Sequence, residues 1–69
     1  MKSLQFIDYN NGNQYFFDFD ENLVIGNVIM FVSEYFQSDR IRFYYCSKQI
    51  FASDNLITVN QIDNEIYLK

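Results

Sequence analysis

The chain of 69 residues contains no histidine, no proline and a single cysteine, and only five of its residues are basic. Each shortage removes a class of function. Without histidine and with one cysteine there is neither a Cys/His zinc site nor an internal disulfide, so the fold stands on packing alone. Nucleophilic cysteine chemistry lacks the base that would generate a thiolate, which leaves Cys46 as an inert turn thiol. With two glycines there is no phosphate-cradling loop, and no nucleophile–base pair or metal-ligand cluster is present, so the sequence proposes no catalytic residue, no metal and no cofactor. The net charge of −4 argues against nucleic acid, because Lys2, Arg40, Arg42, Lys48 and Lys69 are too few to track a phosphate backbone. No apolar run approaches the ~20 residues that span a bilayer, and no signal-peptide core follows Lys2. The expectation is a protein of the cytoplasm and/or nucleus that binds other proteins and no membrane.

What is abundant is large apolar side chains. Eight Phe and six Tyr contribute to a composition that is 49% hydrophobic, and each aromatic buries on the order of 150–250 Å². A chain this short hides only roughly 60% of its unfolded surface, so that density is what makes one domain over residues 1–69 feasible.

Alternation in Leu4/Phe6 and Tyr15/Phe17/Phe19, broken by Asn10-Asn11-Gly12-Asn13, predicts an amino-terminal β-hairpin. Its other face carries Gln5, Ile7, Phe16 and Asp18. The acidic group from Asp18 to Glu21 suits a helix amino terminus, where the macrodipole favours negative charge. From Val24 to Phe36 the residues Ile25, Val28, Ile29, Val32 and Phe36 recur at helical spacing and form a core stripe, with Gly26 as a weak point. Strand character returns from Ile41 to Tyr45, turns at Cys46-Ser47, and continues to Ile50-Phe51. A loop at Ala52–Asn55, a short turn from Leu56 to Ile62 and a last strand at Glu65–Lys69 complete a ββαββ order.

The run Arg42-Phe43-Tyr44-Tyr45-Cys46-Ser47-Lys48-Gln49-Ile50 resembles the third-strand hairpin of ubiquitin-like proteins, with Arg42, Tyr45, Lys48, Gln49 and Ile50 where that family has them. Ile25-Gly26-Asn27-Val28 is similar to the family's helix start, Leu56 or Ile57 to its buried leucine, Ile62 to the isoleucine before the last strand, and Ile66 and Leu68 to that strand's inward residues. The resemblance implies an α+β fold of the ubiquitin-like β-grasp type, a ββαββ mixed sheet packed on one helix. Three departures stand out. Val24 replaces the usual Ser/Thr helix cap, leaving Asn22 or nothing to cap the helix. Ser47 replaces a turn glycine, so Cys46 or Ser47 takes a positive φ. The chain ends at Lys69 without a diglycine tail.

The resemblance also implies a binding face. The solvent side of such a sheet would carry Ile7, Phe16, Tyr44 and Tyr67, edged by Arg42, Lys48 and Lys69, an apolar centre with a cationic rim. Tyr44 stands in place of the family's central isoleucine and Tyr67 in place of its histidine. The implied partners are helical motifs or receptor domains of the ubiquitin–proteasome system. The alternative for these aromatics is cross-strand stabilisation alone, at roughly 0.2–1 kcal/mol per pair. Lys48 matches a chain-linking lysine of the family, but a lone lysine there reads first as a solvated turn residue. Val24, Phe31 and Tyr35 flank the helix stripe and form a possible second surface, for self-association as a weak homodimer or for docking within a longer protein. The functional expectation is therefore a non-catalytic interaction domain of a longer protein. A structural or assembly domain, or a conjugatable modifier whose tail lies beyond Lys69, are the alternatives.

Overall fold

The computed structural model describes residues 1–69. β1 (Lys2–Asp8) and β2 (Gln14–Phe19) form the first hairpin. Its loop is built by the Asn and Asp side chains. Asp8 Oδ1 accepts from the Asn10 N–H and Asn11 Oδ1 from the Asn13 N–H, each at 2.9 Å, while Gly12 takes φ +75°. The register pairs Leu4 with Phe17 and Phe6 with Tyr15 on one side of the pleat, and Gln5 with Phe16 and Ile7 with Gln14 on the other, which is the division that the alternation predicts.

α1 spans Ile25–Tyr35 and buries Ile25, Gly26, Val28, Ile29 and Val32. Phe36 lies just past its end, half-buried, with its ring 5.0 Å from those of Tyr15 and Tyr35. The helix has no side-chain cap. Asn22 does not provide one either: the N-cap position is Val24, and Asn22 lies in the preceding turn, where its N–H donates to Asp20 Oδ1 at 2.8 Å. Two backbone carbonyls cap it instead: Ile57 accepts from the Ile25 N–H at 2.8 Å and Asp54 from the Gly26 N–H at 3.0 Å. The acidic residues also act differently from expectation. No acid lies in the first helical turn, and Asp20 instead closes the turn before the helix through its side chain and by accepting from the Leu23 N–H.

At the other end, Gln37 has φ +52°. The Ser38 N–H reaches the Ser33 carbonyl and the Gln37 N–H that of Glu34, both at 3.0 Å. This is a Schellman ending with glutamine where glycine is usual.

The segment from Ile41 to Phe51 resolves into two strands, β3 (Phe43–Tyr45) and β4 (Lys48–Ile50). The expected ββαββ order is thereby corrected to five strands around one helix, with β5 at Ile66–Leu68. The β3–β4 loop is only two residues, and both Cys46 (φ +51°) and Ser47 (φ +66°) are left-handed, the geometry of a type I′ turn. A 3-10 turn at Val59–Gln61 precedes β5. Of the two candidates for the buried leucine, Leu56 is 86% exposed while Ile57 is half-buried against the core, and Val59 is fully buried.

The strands run in the order β2-β1-β5-β3-β4. β1 and β5 are parallel and the other neighbours antiparallel. The molecule is thus an α+β protein with one helix on a five-stranded mixed sheet. Thirteen buried residues from every element form one core, among them Phe6, Phe43, Val28, Val32, Ile62 and Ile66, and no polar side chain is buried. Tyr45 ties the last connection down, its hydroxyl accepting from the Asp63 N–H at 2.9 Å.

Candidate functional site

The helix covers one side of the sheet and the pleat sends alternate residues to the other. Register across all five strands sets Gln14, Ile7, Tyr67, Tyr44 and Gln49 in a single row, about 19 Å long at ~4.8 Å per strand. Ile7, Tyr67 and Tyr44 are half-buried at its centre, while the glutamines on the two edge strands are exposed. An apolar strip with uncharged polar ends results. Neither glutamine was anticipated as part of the face, although the same alternation that selects Ile7 and Tyr44 also places both.

Beside this row the ladder of β3 and β5 continues to Arg42 and Lys69, whose backbones exchange two hydrogen bonds of 2.9 and 2.8 Å. Glu65, Tyr67 and Lys69 share a face by alternation. Lys69 turns its ammonium over two rings, 4.4 Å from the centroid of Tyr9 and 4.7 Å from that of Tyr44. Tyr9 meets Tyr67 edge to face, with centroids 6.3 Å apart. The Tyr67 hydroxyl donates to Glu65 Oε1 at 3.3 Å. That carboxylate opposes a phenolate beside it and holds the Tyr67 pKa above the ordinary tyrosine value, with partial desolvation and the hydrogen bond adding to the effect. Tyr9, Tyr44, Tyr67, Glu65 and Lys69, together with the Cys46-Ser47 turn and Asn64, line a depression of 440 Å³. Around this depression Tyr9 and Glu65 are further residues that sequence reasoning missed. Extending the β1 alternation from Ile7 one step past Asp8 would have found Tyr9.

The anticipated residues are therefore only partly brought together. Ile7, Tyr44, Tyr67 and Lys69 converge, and Arg42 pairs with Lys69 at the rim. Phe16 lies on the same side but opposite Gln5 on an edge strand; it is 64% exposed and meets no other ring. Lys48 stands opposite Tyr45, one residue out of the Tyr44 row, so alternation does not bring it onto this face.

The second surface divides as well. Val24 bridges to Thr58 ahead of the helix. Phe31 and Tyr35 stack on β2, with Phe17 lying 5.8 Å from Phe31 and 4.9 Å from Tyr35 and Phe19 lying 5.4 Å from Phe31. They still leave 48% and 59% of their surface exposed. No three Cys, Asp or Glu side chains converge to hold a metal ion, and no helix is long and apolar enough to cross a membrane.

Comparison with protein-family models and with curated proteins finds no match for this chain.

Proposed function

We propose that the chain is a non-catalytic interaction domain of the ubiquitin-like, β-grasp type, which binds helical motifs or receptor domains of the ubiquitin–proteasome system through its open sheet face. The observation that carries this reading is the central row of Ile7, Tyr67 and Tyr44, three apolar or aromatic residues in register on an uncovered sheet. Half-buried tyrosines at the middle of a patch, with glutamine and cations at its margins, have the anatomy of a protein interface. The parallel pairing of first and last strands, with the helix following the first hairpin, supports the β-grasp reading. So does the sequence likeness of Arg42 to Ile50. The edge strand β4 is an addition to the four-strand ββαββ order. The cytoplasm or nucleus, where such partners reside, is part of the same proposal.

Titration of the labelled chain with helical ubiquitin-binding motifs and with proteasome receptor domains, followed by NMR, tests the reading. Shifts centred on residues 7, 44 and 67 support it, and a spectrum unchanged at those positions at high partner concentration overturns it.

A second reading, a structural domain for self-association or intramolecular docking, draws on the exposure of Phe31 and Tyr35. Their stacking on Phe17 and Phe19 accounts for both residues as a flank of the core, which leaves the sheet face as the stronger site. Sedimentation across concentrations, with and without Phe31→Asp, separates the two.

A further inference from the structure

The ammonium of Lys69 is the one cation placed over aromatic faces, and it has no other partner: it makes no ion pair and donates no hydrogen bond to the protein, whereas Lys2 has both, to Asp63 and to the Asn60 carbonyl. Two tyrosine rings hold it, at 4.4 and 4.7 Å from their centroids. Tyr67 braces Tyr9 edge-on and stands opposite Tyr44 in the ladder, and the Glu65 carboxylate lines the same depression. Such a box selects for positive charge through ring faces and a nearby anion. It asks the cation for no N–H donor.

We propose that Tyr9, Tyr44 and Tyr67 form a cation box, occupied in the free protein by the chain's own Lys69, which accepts a methylated lysine side chain of a partner protein in exchange. A quaternary ammonium suits it better than a plain one. Methylation removes donors that the box does not use and lowers the cost of leaving water, and aromatic cages recognise such groups. The exchange needs no change of fold. The Lys69 backbone stays pinned to Arg42 by its two hydrogen bonds, and only the flexible four-carbon stem has to swing into solvent. A net charge of −4 favours the approach of a basic segment. This proposal rests on the sheet-face reading for the partner being a protein, while the box itself stands on the ring geometry alone.

The test is a titration of the full chain, followed by aromatic NMR, with three blocked amino acids: trimethyl-lysine, lysine and norleucine. Saturable shifts of the Tyr9, Tyr44 and Tyr67 rings are expected with trimethyl-lysine, weaker ones with lysine and none with norleucine. Lys69→Gln removes the competitor and tightens trimethyl-lysine binding by roughly three- to tenfold, as expected when a resident group fills a site most of the time. Tyr9→Leu, at a residue 63% exposed and outside the core, abolishes binding. Ring shifts absent in both the native chain and Lys69→Gln, equal shifts with norleucine, or weaker binding by Lys69→Gln would each overturn the box. The outcome is separable from that of the proposed function. Helical motifs titrated into the same samples report on the sheet-face reading, and either ligand can bind while the other fails.

Discussion

The Gly26 N–H donates to the Asp54 carbonyl at 3.0 Å, and a Cβ on Gly26 would fall 2.6 Å from that same oxygen. The loop that follows β4 is thus seated directly on the first turn of the helix, where it replaces the missing side-chain cap.

Gly26→Ala is therefore destabilising, although alanine is the better helix former by about 1 kcal/mol. The obstruction is backbone, Asp54 and Ala52 alike, and cannot rotate away. A net loss of about 1–3 kcal/mol, the range of overpacked positions, is expected from urea denaturation. A neutral or stabilised variant would show that the loop does not cap the helix.

Gln37→Gly and Ser47→Gly should each stabilise the chain. Both positions have a left-handed backbone, φ +52° and +66°, which costs an L-residue about 1–2 kcal/mol. Glycine relieves that cost and gives back roughly 0.5–1 kcal/mol in unfolded-state entropy. The balance is a gain of roughly 0.5–1 kcal/mol at each site, visible as a higher denaturation midpoint. Loss of stability at both would contradict the assigned turns.

Much of this architecture is legible in the residues. Period-two spacing from Leu4 to Phe19 and helical spacing from Ile25 to Val32 report directly which side chains must leave water, so the hairpin, the helix and most of the core follow from them. The failures share a cause. The helix cap at Ile57 and Asp54, the burial of Val59, and the need for Gly26 all arise where residues 21–26 meet residues 54–60. That meeting is made by backbone groups, which every residue carries, so composition is silent about it. In the candidate site, Ile7, Tyr44 and Tyr67 follow from alternation alone. The position of Lys69 over Tyr9 and Tyr44 depends on bringing the end of β1 beside the end of β5, which is a property of topology.

Tyr67 should be slow to ionise. Its pKa is raised by the Glu65 carboxylate first, with desolvation, the hydrogen bond to Glu65 and Tyr9 following. A neutral acid with a raised folded-state pKa contributes stability that is fully present below the unfolded value, near 10, and is lost as pH climbs through the folded one. Stability should therefore decline in the alkaline range above about pH 10. Glu65→Gln should move the Tyr67 transition back toward the ordinary value, as read from tyrosinate absorbance or Tyr67 ring shifts. A Tyr67 transition unmoved by Glu65→Gln would exclude the carboxylate as the cause.

Whether Tyr44 and Tyr67 lie at the heart of a protein-binding face is decided by calorimetric titration of Tyr44→Ala beside Phe31→Asp. With a helical ubiquitin-binding motif as ligand, Tyr44→Ala should weaken binding by roughly 2 kcal/mol or more, the range of a central interface residue, while Phe31→Asp on the helix side leaves it unchanged. Binding that survives Tyr44→Ala, or that is lost only with Phe31→Asp, would place the interface elsewhere than the Tyr44–Tyr67 face.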